Sequence, residues 1–288
     1  MNKRSNLLVR TISGAVYVLV MVSCTVFSPW TLYLLMGLLA ALAVNEFQVI
    51  NGQKNRVLSV VASTVPFAFL MVFSLVQVDV AAGYTDSPMT LISIAMTGIA
   101  VLWLLLFIAD AIARLFACSE HPIVSLAYSS MAQVYITFPL LCVVAMSVLS
   151  GVKSLFWTFP LALYVFLWVN DSGAYLIGSA CGKHKFFPRI SPKKTWEGCI
   201  GGAVFTLAIS LLYWRFFPIL SGWQWLGMAF IVIVFGSLGD LVESMMKRAL
   251  GIKDSGNLIP GHGGILDRID SMLFAAPTAF VYLSICCL

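Results

Sequence analysis

The chain has 288 residues, of which 60% are apolar and 10% charged, where an ordinary soluble domain is about half apolar and about a quarter charged; a single water-soluble globule is excluded. Seven cysteines without paired spacing, two of them Cys286 and Cys287, form neither a secreted disulfide framework nor a zinc-ribbon set. The formal charge of +5, from 17 Lys and Arg against 12 Asp and Glu, is too small for a nucleic-acid-binding surface and suits an anionic lipid or nucleotide.

A bilayer core about 30 Å thick takes about 20 mostly apolar residues per helix. Nine such stretches follow one another, near residues 12–28, 30–50, 57–78, 89–109, 125–149, 155–177, 199–217, 223–243 and 271–288. They are continuous and lack the short alternation of a membrane barrel, which predicts an all-α polytopic membrane protein of about nine transmembrane helices. The first stretch follows Lys3, Arg4 and Arg10 and includes Met21-Val22-Ser23-Cys24, but Met21 fits a lipoprotein cleavage site poorly and a second span follows at once. It reads as a retained helix. With the N-terminus cytoplasmic, 15 of the 17 basic residues fall inside, leaving Lys153 and Arg215 outside. This positive-inside bias sets the expected orientation and puts Leu288 outside.

Charge divides the chain unequally. Residues 1–170 carry 12 charges, residues 171–270 carry 17, and residues 271–288 carry none. Residues 1–170 are therefore read as membrane helices serving lipid entry or a dimer contact, and residues 171–288 as a catalytic region with cytoplasmic loops at 181–198 and 251–270. Glu46, Asp79, Asp86, Asp110 and Glu120 lie near span ends or in short loops without clustering, and read as structural.

Three constellations remain. Asn170-Asp171-Ser172-Gly173-Ala174-Tyr175 sets a carboxylate about 24 Å along the sixth span, near its cytoplasmic end. The loop Gly182-Lys183-His184-Lys185, leading to Ser191-Pro192-Lys193-Lys194-Thr195-Trp196-Glu197-Gly198, fails as a nucleoside-triphosphatase phosphate loop because its glycine spacing is short and His184 follows Lys183. Its Ser191-Pro192 predicts a helix start, with serine capping and proline in the first position. In the third, Asp240, Glu243, Ser244, Lys247 and Arg248 share one helix face, and Asp267 and Asp270 share another. Between them, five glycines within residues 251–270 let backbone approach phosphate oxygens. Carboxylates beside such a loop suit Mg²⁺, and the neighbouring Lys and Arg suit phosphate.

The run Ser244-x-x-Lys247-Arg248-x-x-x-x-Lys253-Asp254-x-Gly256, continuing through Pro260-x-His262-Gly263-Gly264-x-x-Asp267-Arg268-x-Asp270, resembles the signature of the phosphatidate cytidylyltransferases, or CDP-diacylglycerol synthases, without departure. Asp171-Ser172-x-Ala174-Tyr175 and Ser191-Pro192-Lys193-Lys194-Thr195-x-Glu197-Gly198 are also similar to stretches of that family. The resemblance is close over residues 171–270 and extends to the first 170 only as a hydrophobic pattern.

The resemblance implies an enzyme joining phosphatidic acid to CTP, giving CDP-diacylglycerol and pyrophosphate with Mg²⁺, in the bacterial cytoplasmic (inner) membrane and as a homodimer, with no nucleic-acid partner. The residues agree: a lipid phosphate is itself a nucleophile, and the sequence offers no serine or cysteine triad. Asp240 and Asp267 are expected as principal metal ligands, with Asp270 and Glu243 as weaker ones; whether a second, monovalent cation joins them is open here. Lys247, Arg248, Lys253 and Arg268 are expected to neutralise phosphates. Asp171, Ser172, Ser191, Lys193, Lys194, His262, Gly263 and Gly264 are expected to line the substrate site. The competing readings are a transporter using Asp171 as an ion site, and a CTP-dependent kinase of polyprenol-type lipids.

Overall fold

The computed structural model describes residues 3–54, 56–80, 88–116, 121–149, 155–261 and 263–287, and at 3–8, 73–80, 88–96 and 115 the backbone alone. His262 therefore lies outside the described residues. The helices are α1 (Lys3–Phe27), α2 (Pro29–Ile50), α3 (Val57–Val80), α4 (Pro88–Phe116), α5 (Pro122–Ala132), α6 (Phe138–Leu149), α7 (Thr158–Cys181), α8 (Trp196–Phe216), α9 (Gly222–Ala249) and α10 (Leu266–Cys287). A π-helical turn, Gln133–Thr137, joins α5 to α6 into one apolar passage, Pro122–Leu149. Eight helical stretches are long and apolar enough to cross a membrane, and α3 adds the shorter apolar stretch Val57–Val72. Each of the nine expected spans thus has its helix, and the chain is an all-α multi-pass membrane protein.

Two compact units account for the packing: Met1–Pro29 with Cys142–Leu288, and Trp30–Leu141. In the second unit, buried polar side chains tie helices where no water is available to them. Gln48 Nε2 donates to Ser59 Oγ at 3.0 Å, and Gln133 Nε2 to the Ser59 carbonyl at 2.9 Å. Asp110 and Arg114 form a buried i,i+4 pair at 2.9 Å, so the structural reading of Asp110 acquires a partner.

In the first unit, α7 packs on α8 and α10 on α9, with α8 also against α9. Trp225 of α9 is fully buried and meets Phe159, Phe166 and Tyr213 edge-on or tilted, at centroid distances of 5.4–6.3 Å. Its indole N–H donates to the Phe217 carbonyl at 3.0 Å, leaving no buried donor unpaired there. The α7–α8 contact is made by small residues four apart, Ala174 and Gly178 against Gly198 and Gly202, which let backbones approach as in other membrane helix pairs. A Cβ on Gly202 would stand 2.5 Å from the Asn170 carbonyl, and one on Gly198 would stand 2.7 Å from that of Ala174.

Among the boundaries that differ from the sequence expectation, three shape the polar ends of the first unit. Ser191–Thr195 is a strand paired antiparallel with Lys185–Phe187, in register Lys185 with Thr195 and Phe187 with Ser191. The helix expected from Ser191-Pro192 starts instead at Trp196. Thr195, extended at φ −127 and ψ 153, caps it by accepting from Gly198 N at 3.2 Å. The α9 helix continues six residues past the expected end at 243, and α10 begins at Leu266, before the expected 271. Hydropathy ends where charges begin, whereas the hydrogen-bonded helix runs on through them.

A valine at Gly202 should wedge α7 from α8, lowering stability by about 1–3 kcal/mol, the usual cost of overpacking. Thermal unfolding of the purified protein in detergent reads this as a lower midpoint; an unchanged midpoint would show that the two backbones are not held at the distance described.

Candidate active site

The extended α9 carries Asp240, Glu243, Ser244 and Lys247 on one face, and the early start of α10 brings Asp267 and Asp270 into its first turns. These two helices lie side by side, and Gly239 makes the approach possible, since a Cβ there would stand 2.7 Å from the Asp270 carbonyl. Two acidic faces thereby become one cluster. Asp240, Glu243 and Asp270 each place a carboxylate oxygen within 4.8 Å of the other two.

The partners of these carboxylates differ. Lys194, on the second strand of the hairpin, puts its Nζ 2.6 Å from Asp240 Oδ2, and Ser244 Oγ donates to Asp240 Oδ1 at 3.2 Å. Lys247 pairs with Glu243 Oε2 on its own helix and with Asp267 Oδ1 across the helix pair, the latter at 2.6 Å. Glu243 is 1% exposed, and its Oε1 is buried with no hydrogen-bond donor among the described residues. Asp270 accepts from its neighbour's backbone, Ser271 N, at 2.6 Å and has no ion-pair partner among the described residues.

Asp267, expected from the sequence as a principal metal ligand, has both carboxylate oxygens engaged by protein groups. While Oδ1 takes Lys247, Oδ2 accepts from Ser255 N at 2.9 Å, Ser255 Oγ at 3.0 Å and Gly264 N at 2.9 Å. It thereby folds the glycine-rich loop onto α10. Gly263, at φ +85, lies so close that a Cβ would meet Asp267 Oδ2 at 2.6 Å; only glycine satisfies both the conformation and the contact. The loop is closed by a bridge from Ile259 N to the Gly263 carbonyl at 2.9 Å.

Other expected residues gather with less direct contact. Asp171 lies within electrostatic reach of Asp240, Lys194 and Arg268, and Asp270 within reach of Asp240, Glu243 and Asp171. Ser172 follows Asp171 on α7 and is exposed. Counted as ionised, the five carboxylates and three cations within this electrostatic reach leave a formal excess of two negative charges. Lys193 and Lys253 are exposed and form no ion pair among the described residues, as is Arg268. Ser191 is half-buried in the hairpin. Arg248 donates from Nη1 to the Ile252 carbonyl at 3.1 Å.

Sequence reasoning overlooked two organising residues. Glu197 accepts from Lys183 N at 3.1 Å, His184 N at 3.2 Å and His184 Nδ1 at 2.6 Å, pinning the base of the hairpin that carries Lys193 and Lys194. Ser255 doubly engages Asp267. Glu197 stands in a quoted motif and Ser255 at an unspecified position of another, so neither partner was visible in the sequence.

If Asp267 is the hub of the loop, Asp267→Asn should loosen it, because one amide group cannot serve Lys247 and three N–H or O–H donors at once. Removing one member of a buried ion pair costs about 3–5 kcal/mol. Hydrogen exchange at Ser255 and Gly264 should accelerate strongly in Asp267→Asn and stay near wild type in Asp270→Asn; equal protection in both variants would deny Asp267 this role.

Against this geometry stand the likenesses to known proteins. The sequence profile of the Cytidylyltransferase family matches residues 8–286. A phosphatidate cytidylyltransferase of Staphylococcus aureus (strain COL) is 54% identical over 119 residues, which is 40% of this chain and 45% of that protein. Those of Staphylococcus haemolyticus (strain JCSC1435) and Staphylococcus epidermidis (strain ATCC 35984) are 51% identical over 118 residues and 46% identical over 115 residues, with 40% of this chain covered and 45% and 44% of theirs. The matched chain thus spans less than half the length of these relatives. By the near-complete profile match, the chain belongs to the cytidylyltransferase family.

Proposed function

We propose that this protein transfers the cytidylyl group of CTP to phosphatidic acid, releasing pyrophosphate and forming CDP-diacylglycerol in the membrane. The observation that carries this reading is the convergence of Asp240, Glu243 and Asp270 beside Lys194, Lys247 and a glycine-rich loop, at the polar ends of apolar helices. The names of the staphylococcal relatives favour the same substrates.

The donor set fits a hard cation. Three carboxylates converge, one of them buried with a donorless oxygen, and the cluster retains negative charge after its lysines are counted. We assign Asp240, Glu243 and Asp270 to hold Mg²⁺, and Asp267 to hold the loop. When bound, Mg²⁺ supplies charge neutralisation on the triphosphate. The chain's own residues do the rest. Lys194, Lys193, Lys253 and Arg268 orient and neutralise phosphates, and the Asp267-anchored loop brings backbone close to them. A phosphate oxygen of phosphatidic acid attacks the α-phosphorus of CTP, and the bond from that phosphorus to the pyrophosphate oxygen breaks. No protein nucleophile and no proton abstraction are needed, so positioning is the main task.

The detergent-purified protein, given phosphatidic acid, labelled CTP and Mg²⁺, should yield a CDP-lipid and pyrophosphate. Asp240→Asn and Asp270→Asn should each reduce turnover by at least about a hundredfold, as expected for loss of an electrostatic catalytic group, while remaining folded in the membrane. Release of CDP with a phosphorylated lipid would identify a kinase instead, and near-normal turnover in either variant would remove that residue from the ion site.

We further place the protein in the bacterial inner membrane, as a homodimer, with this site on the cytoplasmic side. The distribution of 15 basic residues on one side supports the orientation. Leu258 is 54% exposed on the loop, so a cysteine placed there in a cysteine-free background should react with an impermeant thiol reagent only after the membrane is permeabilised. Labelling from the outside of intact cells would reverse the orientation.

A further inference from the structure

The α1 helix precedes the charged constellations by more than 140 residues in sequence, yet one of its faces lies on the glycine-rich loop. Arg10, Ser13 and Tyr17, at offsets 0, 3 and 7, share that face. The aliphatic stem of Arg10 covers Gly261, whose φ is +76: a Cβ there would meet Arg10 Cγ at 2.8 Å and Nε at 3.6 Å. Ser13 Oγ stands 3.0 Å from the Pro260 carbonyl, sharing its one proton with the Val9 and Arg10 carbonyls. Tyr17 OH reaches the Arg268 carbonyl at 3.4 Å, and its ring meets Trp168 edge-on at 6.5 Å.

Arg10 is exposed and forms no ion pair with a carboxylate among the described residues. It stands at the second residue of the apolar stretch Val9–Phe27, the depth at which lipid headgroups lie. One turn further on begins a shallow, open groove of about 520 Å³ on the surface of α1 itself, lined by Gly14, Ala15, Val18, Leu19, Val22 and Ser23. Gly14, Val18 and Val22 follow Arg10 at offsets of 4, 8 and 12, so the groove continues down the helix along a slowly drifting stripe. A guanidinium at headgroup depth with an apolar groove leading away from it matches an acyl lipid bearing a phosphate monoester, two or more charge-assisted bonds at one end and hydrocarbon at the other.

We propose that α1 is the lipid-substrate receptor of this protein, with Arg10 binding the phosphate of the lipid and the Gly14–Ser23 groove taking an acyl chain. This rests on the phosphatidate reading above. A free phosphate source, the CTP triphosphate, offers the same chemistry to Arg10 but has no use for the groove.

Steady-state kinetics in mixed micelles separates the roles, using Arg10→Met, which keeps the stem over Gly261, and Arg10→Lys, which keeps the charge. An Asn2→Lys background holds the N-terminal charge constant, so that insertion is preserved. Arg10→Met should raise the apparent KM for phosphatidic acid about tenfold, the worth of one charged hydrogen-bonding group, with kcat and the KM for CTP within about twofold of wild type by the same reckoning. Arg10→Lys should recover part of the loss, and Ala15→Phe, which narrows the groove, should raise the same KM alone. An unchanged KM for phosphatidic acid in Arg10→Met, or a rise in the KM for CTP instead, overturns the inference while an active wild type keeps the proposed function. A wild type that forms no CDP-lipid overturns both.

Discussion

Lys247 stands between two carboxylates, Glu243 on its own helix and Asp267 on the next, with 12% of its side chain exposed. At the end of a membrane helix pair, Glu243 could not be held ionised at low cost without it, because desolvated charge must be paired. The consequences spread outward from that amine. Through Glu243 it stabilises a buried carboxylate that lies beside Asp240 and Asp270; through Asp267 it anchors Ser255 and Gly264, and hence the loop. The acidic cluster and the glycine loop are two arms of one salt-bridge network.

A second pairing works at longer range. Lys194 belongs to a hairpin between α7 and α8, and its contact with Asp240 carries the hairpin onto α9. The hairpin is itself held by Glu197 on the backbone of Lys183 and His184, and seated by Thr195 at the start of α8. The close α7–α8 packing through Gly198 and Gly202 fixes where that start lies, and also sets Asp171 near the cluster. Small residues inside the apolar region thus decide where charged residues at its edge can meet.

Two aspartates of the site have different neighbours. Asp267 and Asp270 lie one turn apart at the start of α10 and look interchangeable as ligands. Their neighbours separate them: the loop donates to Asp267, whereas Asp270 faces α9, where Asp240 and Glu243 converge. A spacing of three residues places both on one side of a helix, but cannot say which neighbour each one meets.

Hydropathy alone located the nine spans, because a membrane demands apolar length and a fully bonded backbone, and both are local properties of a chain. The same locality made the acidic face of α9 legible, since periodicity puts Asp240, Glu243 and Lys247 together without any partner. Helix ends were less legible, as with Ser191-Pro192, where cross-strand pairing with Lys185–Phe187 overrides a capping pattern that suits either structure. What only the tertiary structure decided was pairing across elements: Lys194 with Asp240, Lys247 with Asp267, and α1 with the loop near Gly261. No local signal marks Arg10 apart from its charge, because its neighbours are about 250 residues distant in sequence and the contact exists only once packing has brought α1 against the loop.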